Sequence, residues 1–265
     1  MTIPRTTGTC TDHRGLASAR HEPGDGPSPA EFMLGTATLD STDNAKRSAA
    51  RAALLELPAE GIIGLGSGST AHAFVEELAL HVRQGRRIVG VPTSEATRSL
   101  ATRLGIPLLD NDGPWAIDVN VDGADEVSDR LDLIKGGGGA LTREKIVNYA
   151  AKRNVVIVDP SKLSARLGEK HAVPIEVLTF AHRATREHLA RLGTAKLRLR
   201  GGVPAHSDAG NVLYDLVVPP IDDPVALDHA LRAIPGVVET GLFVGRADVV
   251  LVGEDRHVRR LVREG

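Results

Sequence analysis

Apolar positions follow two different periods along the chain from residue 41 onward. Short apolar segments are typical of strands, and they occur at 62–65, 87–91, 116–121, 131–134 and 154–158. Between them, apolar residues recur every three or four positions, which is the period of a helix. Helices are predicted after a cap at Thr42 or Asp43, after residue 70, and at 94–104 and 141–151. Strands that alternate with helices predict an α/β fold with a doubly wound, mainly parallel, Rossmann-like sheet.

The order of elements changes between residues 172 and 243. There the patterns predict strand 173–178, helix 182–192, strands 196–199 and 211–218, helix 224–234 and strand 237–243. This order, β-α-β-β-α-β, is typical of a ferredoxin-like subdomain. A buried strand at 247–252 is expected to return to the first sheet, which makes 172–243 an insertion into a catalytic domain of 41–171 plus 244–265. A basic C-terminal helix is predicted to follow, with Val258, Leu261 and Val262 facing inward.

The first 40 residues differ from the rest of the chain. They are rich in Thr, Gly, Pro and Ser and have no apolar period, so they are interpreted as a disordered or loosely attached tail. The tail contains Cys10, Asp12, His13 and His21. Their spacing matches no zinc pattern, and we interpret them as scattered polar residues.

Composition narrows the class of protein. With 265 residues and a net charge of -2, the chain has no broad face for binding polyanions. Aromatic residues make up only 3%, which disfavours stacking surfaces for nucleic acid. The one cysteine excludes an internal disulfide, and no apolar run is long enough for a membrane span. We expect a soluble, cytoplasmic protein that binds neither nucleic acid nor membrane.

The segment GLGSGSTA (64–71) lies between a predicted strand and a predicted helix. Backbone N–H groups and the helix dipole bind phosphate at such a junction. The segment also fits G-x-G-x-x-A, but the acidic residue that binds a dinucleotide ribose is absent about 20 residues on. The hydroxyls of Ser67, Ser69 and Thr70 favour one phosphate monoester over a dinucleotide or a merely tight turn.

Two further motifs follow strands and so lie at the carboxyl edge of the sheet, where open α/β folds bind ligands. In DGADE (122–126), Asp122 and Asp125 suit proton transfer or binding of sugar hydroxyls, with a capping turn or a magnesium site as alternatives. In KGGGGALTREK (135–145), the glycines admit a ligand close to the backbone and Lys135 can face an oxyanion. Glu144 is a candidate general base, or else a solvated carboxylate paired with Lys145 or Arg143.

The strand that ends at residue 158 is followed by DPSK (159–162), which brings Lys162 to the same edge, and Lys46 near the start of the first helix is a third candidate lysine. Together the strand ends predict a pocket for a small polyhydroxylated phosphate ester with acid–base chemistry. A non-catalytic sensor of sugar phosphates on the same fold is the alternative from another class.

In its motifs the chain resembles the A-type ribose-5-phosphate isomerase family. GLGSGSTA, VDGADE, KGGGGALTREK, DPSK, VPIEV, DAGN and IPGVVETGLF occur in the family's order, and the likeness covers about residues 41–265. The resemblance implies interconversion of D-ribose 5-phosphate and D-ribulose 5-phosphate through an enediolate, in the non-oxidative pentose phosphate pathway. It also implies no metal, no cofactor and a homodimer or homotetramer.

By the same resemblance, Glu144 is the base, Lys135 stabilises the oxyanion, and Asp122 and Asp125 hold hydroxyls and assist ring opening. Further substrate contacts are implied at Ser67, Gly68, Ser69, Thr70, Gly123, Ala124, Gly136, Gly137, Gly138, Lys162 and Lys46. Ser67 stands where the family often has threonine and keeps the hydroxyl. The segment 198–207 departs from the family pattern, which leaves its contacts open. An amino-sugar phosphate deaminase or an acyl-CoA transferase is a related alternative, and the first needs a histidine that these motifs lack.

Overall fold

The computed structural model describes residues 41–255 and 257–263, apart from the side chain of Ser41. The N-terminal segment interpreted as a tail, including Cys10 and His13, lies outside the described residues. In chain order the elements are α1 (Ser41–Ala53), β1 (Glu60–Leu65), α2 (Ser69–Arg83), β2 (Arg87–Pro92), α3 (Glu95–Leu104), β3 (Val119–Asp122), β4 (Glu126–Val127), β5 (Leu133–Ile134), α4 (Leu141–Ala150), β6 (Asn154–Val158), β7 (Val173–Val177), α5 (His182–Leu189), β8 (Thr194–Leu197), β9 (Leu199–Arg200), β10 (Val203–Pro204), β11 (Val212–Val217), α6 (Pro224–Arg232), β12 (Val237–Thr240), β13 (Leu242–Phe243), β14 (Val249–Gly253) and β15 (Val258–Val262). Short 3₁₀ turns occupy Leu54–Glu56 and Pro160–Lys162.

Six strands form the larger sheet in the order β15-β14-β6-β3-β1-β2. All neighbours are parallel except β14 and β15, so the predicted doubly wound, mainly parallel sheet is confirmed. Its strands are apolar because both faces are covered, as parallel sheets require. Ile63 and Leu65 of β1 pack with Phe74 and Leu78 of α2 and with Ala49 of α1, and all five are fully buried.

The inserted segment forms a four-stranded antiparallel sheet in the order β12-β7-β11-β8. With α5 after β7 and α6 after β11, this is the predicted ferredoxin-like arrangement. Its core is built around Ile175, Leu189, Tyr214 and Leu231, all at most 1% exposed. Strand β14 then pairs with β6 of the larger sheet, as predicted. Because the described residues belong to one contact unit, the exact division at 172 and 243 stays a prediction.

The predicted C-terminal helix is wrong, because residues 258–262 form strand β15. Val258, Leu261 and Val262 have a spacing that suits a helix, but β14 offers an open edge and pairs with this segment through five residue pairs. The strand closes the sheet with Arg259 and Arg260 exposed on it, as is common for edge strands.

The predicted strand 237–243 is two strands in two sheets. β12 belongs to the small sheet, whereas β13 pairs with β5 in a three-stranded sheet of order β13-β5-β4. The break falls at Gly241, where an added Cβ would lie 2.2 Å from the carbonyl oxygen of Lys135. The close approach lets Lys135 N–H donate to Gly241 O at 2.9 Å, so the break ties the small sheet to the glycine-rich loop.

None of the helices in the described residues is both long and apolar enough to cross a bilayer.

Candidate active site

The predicted motifs meet at one cavity. GLGSGSTA, DGADE and DPSK follow or end the parallel strands β1, β3 and β6, whose carboxyl ends lie together at one edge of the larger sheet. KGGGGALTREK was predicted to follow a strand of the same sheet, but it follows β5 of the three-stranded antiparallel sheet, from which it reaches the cavity. They enclose a cavity of about 120 Å³. Its lining residues are Ser67, Gly68, Ser69, Thr70, Gly123, Ala124, Asp125, Lys135, Gly136, Gly137, Gly138, Glu144 and Lys162. A larger groove of about 810 Å³ beside β15 contains none of the motif residues singled out as candidate site residues. The small polar cavity is therefore the candidate active site.

The loop between β1 and α2 packs directly on Asp122. An added Cβ at Gly66 would lie 2.1 Å from Asp122 Oδ1, so only glycine fits there. The next backbone N–H, that of Ser67, donates to the same oxygen at 3.0 Å. The Ser67 hydroxyl is engaged on the other side by Thr93 at 2.7 Å and Ser94 at 2.9 Å. The loop is thus rigidly placed, with the N-terminus of α2 facing the cavity.

Ser69 and Thr70 form the first turn of α2, a helix of 15 residues. No side chain caps this helix at Gly68. The first N–H groups of a helix have no partners within it, and the helix dipole makes that end positive. This end of the cavity can therefore bind a phosphate.

A buried lysine, Lys135, lies between two buried carboxylates of the site. Lys135 Nζ lies 3.0 Å from Asp122 Oδ2 and 3.3 Å from Glu144 Oε2. It also donates to Gly123 O at 2.6 Å and lies 5.5 Å from the centre of the Phe243 ring. All three charged side chains are at most 5% exposed. One ammonium is thus shared by two carboxylates in a site with little water.

The two carboxylates differ in their other partners. Asp122 Oδ1 also accepts from the N–H groups of Ser67 and Gly123, at 3.0 and 2.8 Å. Within the described residues, Asp122 Oδ2 and Glu144 Oε2 both lack hydrogen bonds and have only their ion pairs with Lys135, so the difference lies in the two bonds to Asp122 Oδ1. Hydrogen bonds stabilise the charged form of a carboxylate. Asp122 is therefore better able to keep its charge, and Glu144 takes up a proton more readily.

The pKa values follow from this crowding. Burial raises the pKa of Glu144 to about 8; Lys135 opposes the shift, and the charges of Asp122 and Asp125 add to it. Burial likewise raises the pKa of Asp122, against the pull of Lys135. For Lys135, burial works against the ammonium, but the charges of Asp122 and Glu144 outweigh it and raise its pKa. A carboxyl that titrates near neutral pH beside a permanent cation can act as a general base.

The glycine-rich loop lies against Asp125. The N–H of Gly137 donates to Asp125 Oδ2 at 2.7 Å, and an added Cβ at Gly137 would lie 2.7 Å from Asp125 Oδ1. Gly136 has a φ of +106°, and its Cβ would lie 2.8 Å from that of Leu141. The glycines thus allow the loop to turn between Asp125 and helix α4.

The structure brings together all predicted site residues except Lys46. That lysine lies on α1, 3.7 Å from Asp43, and is not among the residues that line the cavity. Lys162 lies in the 3₁₀ turn after β6 and does line it.

The alternative of a solvated Glu144 is wrong. The side chain of Glu144 is buried, and the expected partners are engaged elsewhere. Lys145 pairs with Glu239 at 2.9 Å, and Arg143 pairs with Glu95 at 2.7 Å.

Sequence reasoning missed the supporting role of Glu126, the last residue of DGADE. This fully buried carboxylate accepts from the Ser164 hydroxyl and from the N–H groups of residues 168, 169, 170 and 171, at 2.7–3.1 Å. It shapes the loop that begins with Lys162. An acidic residue at a strand end was the available signal, but its partners lie about 40 positions away.

In the described part of the chain, no group of three or more His, Cys, Asp or Glu side chains could hold a metal ion. Asp122 and Asp125 point their oxygens at backbone N–H donors and, in the case of Asp122, at Lys135. This arrangement disfavours the magnesium alternative, because a metal site needs free oxygens that converge on one point.

Comparisons with known proteins agree on one family. Residues 89–257 match the family model for ribose 5-phosphate isomerase A, also called phosphoriboisomerase A. Ribose-5-phosphate isomerase A of Chloroflexus aurantiacus is 48% identical over 81% of this chain and 92% of its own length. The protein of that name from Thermococcus kodakarensis is 43% identical over 84% of this chain and all of its own length.

Solved structures give the same result. Ribose 5-phosphate isomerase A of Methanocaldococcus jannaschii superposes with a TM-score of 0.80 at 40% identity and covers 84% of this chain and 100% of that one. A D-ribose-5-phosphate isomerase in complex with phospho-erythronic acid superposes with a TM-score of 0.81 at 43% identity, over 84% of this chain and 99% of that one.

Proposed function

This chain belongs to the ribose 5-phosphate isomerase A family, and we propose that Glu144 is the base of its reaction. The reaction is the interconversion of ribose 5-phosphate and ribulose 5-phosphate, an aldose–ketose isomerisation. The observation that carries the proposal is the buried ion-pair cluster, in which Lys135 Nζ lies 3.3 Å from Glu144 Oε2 and 3.0 Å from Asp122 Oδ2.

The proposed chemistry moves a proton between two carbons and a second proton between two oxygens. The Glu144 carboxylate takes the proton from C2 of the open-chain aldose, the electron pair of the C–H bond forms the C1–C2 double bond of an enediolate, and the electron pair of the carbonyl group moves to the C1 oxygen. Glu144 then returns its proton to C1, while the C2 hydroxyl loses its proton to become the carbonyl and the C1 oxygen gains one, which completes the ketose. The carbonyl oxygen gains negative charge during this step, and Lys135 is placed to stabilise it. Such preorganised charge is usually the largest single contribution to catalysis of this kind.

The two aspartates have fixed positions that suit hydroxyl binding. Asp122 is held by the N–H groups of Ser67 and Gly123, and Asp125 by that of Gly137. We assign them to the sugar hydroxyls and to assistance in ring opening, since a carboxylate can accept a hydroxyl proton.

The phosphate end of the substrate is assigned to the N-terminus of α2. Ser69 and Thr70 contribute hydroxyls and backbone N–H groups, and Lys162, which also lines the cavity, contributes an ammonium. Gly68, Gly123, Ala124, Gly136 and Gly138 complete the lining. Lys46 stays a predicted contact.

Further parts of the proposal concern the cell and the assembly. We expect a cytoplasmic enzyme, because the single cysteine suits a reducing compartment. We also expect a homodimer or homotetramer, no nucleic-acid or membrane partner, and no metal or organic cofactor. Among the described residues, none that lines the cavity is a histidine, which disfavours the amino-sugar phosphate deaminase alternative.

Glu144→Gln tests the assignment of the base. The amide keeps the shape of the side chain but cannot accept the proton. We expect kcat for ribose 5-phosphate to fall by a factor of about 100 to 10,000 with little change in ligand binding, since general-base catalysis contributes that much. Glu95→Gln is the matched control, because Glu95 pairs with Arg143, the neighbour of Glu144 in the chain, and lies outside the cavity lining. Turnover that is unchanged in Glu144→Gln would refute the assignment of Glu144 as the base.

A further inference from the structure

Arg198 reaches the back of the glycine-rich loop from the small sheet. It lies between β8 and β9, in the segment whose sequence departs from the family pattern. Its Nη1 donates to Gly136 O at 2.8 Å and to Gly137 O at 3.0 Å. Arg198 itself does not line the cavity, whereas both glycines do. The guanidinium therefore holds two consecutive carbonyl groups of the loop.

The guanidinium is itself fixed. Its Nε donates to Asp215 Oδ2 at 3.0 Å, and its Nη2 bonds to the other oxygen of the same carboxylate. Such two-point pairs between Arg and a carboxylate define the orientation of the guanidinium plane. The Arg198 side chain is only 15% exposed. Its backbone is fixed as well, since its N–H donates to Leu213 O at 2.8 Å and its carbonyl accepts from Ala205 N–H at 2.9 Å.

The direction of a carbonyl group decides the direction of the next N–H. In a planar trans peptide the C=O and N–H bonds point to opposite sides. With Gly136 O held by Arg198, the N–H of Gly137 points away from it and donates to Asp125. With Gly137 O held in the same way, the N–H of Gly138 points to the side of the loop away from Arg198. Within the described residues, the Gly138 N–H donates to no protein acceptor.

We propose that Arg198 is a positioning residue for the isomerase reaction: by binding the carbonyl oxygens of Gly136 and Gly137, it orients the Gly138 N–H toward the developing oxyanion. Gly136 O also accepts from Gly139 N–H at 3.0 Å, whereas among the described residues Gly137 O accepts only from Arg198. Glycine peptides rotate easily, so without this clamp the Gly137 carbonyl oxygen can turn toward the cavity and repel the enediolate. The cation also polarises the peptide groups, which strengthens their N–H groups as donors. This inference rests on the proposed function.

The test compares Arg198→Met with Arg200→Met, since Arg200 is an exposed arginine two residues further along the same segment. A donor that acts on the oxyanion contributes mainly in the transition state. We therefore expect Arg198→Met to lower kcat about 10- to 100-fold while the KM for ribose 5-phosphate stays within about twofold. Inhibition by phospho-erythronate, whose carboxylate carries the negative charge of the reacting end, should weaken in parallel. Inhibition by inorganic phosphate should not change, and Arg200→Met should behave as the wild type.

A folded Arg198→Met variant with kcat within about twofold of the wild type would overturn the assignment. So would a loss confined to KM. If Arg198→Met does not fold, Arg198→Lys replaces it. Its compact ammonium lacks the planar fork with which Arg198 pairs with both oxygens of Asp215 while it binds the two carbonyl groups, so we expect a several-fold fall in kcat, and a wild-type kcat would again overturn the assignment. Wild-type turnover is measured in the same series: a wild type without turnover refutes the proposed function itself, which is a different outcome.

Discussion

Replacing Asp122 by Asn should move the pH dependence of the reaction to lower pH. Glu144 must be ionised to act as a base, so activity rises with pH through its pKa of about 8. The charge of Asp122 is one cause of that high pKa. Asp122→Asn removes this charge and keeps the size of the side chain. The pKa of Glu144 should therefore fall.

The expected size of the shift follows from the geometry. The Lys135 ammonium lies 3.0 Å from Asp122 Oδ2 and 3.3 Å from Glu144 Oε2, which places the two oxygens at most about 6 Å apart. With an effective dielectric constant of about 20, two unit charges at that distance repel by about 3 kcal/mol. Since one pKa unit corresponds to about 1.4 kcal/mol, the pKa of Glu144 should fall by about two units, from about 8 to about 6.

The assay measures kcat/KM for ribose 5-phosphate between about pH 5 and pH 10, because the pH dependence of kcat/KM reports the pKa of the base in the free enzyme. The substrate phosphate also titrates, near pH 6, but it affects wild type and variant alike and cancels in their ratio. Asp118→Asn is the matched control. Asp118 lies just before the first residue of β3, whereas Asp122 is the last residue of that strand, and Asp118 pairs with Lys152. An acidic limb that stays in place or moves to higher pH in Asp122→Asn would refute the electrostatic reasoning.

Three further outcomes are expected. Gly137→Ala should lower the free energy of unfolding by about 1–3 kcal/mol, because the added Cβ lies 2.7 Å from Asp125 Oδ1. Gly138→Ala is the control, since its added Cβ meets open space and should lower the free energy of unfolding less. Unfolding in urea compares the two variants, and equal losses would contradict the predicted clash. Lys145→Met should cost about 1–3 kcal/mol in the same assay, because it leaves the buried carbonyl oxygens of Thr240 and Leu242 without their donor, while Glu239 keeps its ion pair with Arg232; a loss no larger than that of the exposed Lys152→Met would contradict this. Exhaustive chelation should leave turnover unchanged, and a loss that a single metal restores would show that the enzyme needs that metal.

The part of the site that follows strand ends could be predicted from the sequence. Strand and helix periods are local, and parallel strands bring their carboxyl ends together whatever the intervening residues are. Asp122 ends β3 and Lys162 follows β6, two parallel strands of the larger sheet, and both contribute to the cavity or to its charge cluster. Lys135 follows β5 of the separate antiparallel sheet, so its place at the cavity does not follow from this rule. The buried state of Glu144 could not be read locally, because it depends on where helix α4 packs.

Contacts between distant segments escaped prediction for the same reason. Arg198 meets the glycine-rich loop across about 60 positions, and Lys145 meets the β12–β13 break across about 95. The periodicity of apolar residues along the sequence gives no information about such distant pairs. The spacing of Val258, Leu261 and Val262 fits the helical period and predicts a C-terminal helix. The segment forms a strand because it pairs with the open edge of β14, which the local pattern does not show. Lys46 lies on the predicted helix, but the direction of its side chain does not follow from the pattern.

Proton exchange at C2 of ribose 5-phosphate in heavy water tests the role of Glu144 most directly. The wild type should replace the C2 hydrogen by deuterium, because a base within the cavity removes that proton and the heavy water can replace it before it returns. Glu144→Gln should reduce the exchange to the background rate while still binding the sugar phosphate. Exchange at the wild-type rate in Glu144→Gln would contradict the assignment of Glu144 as the base.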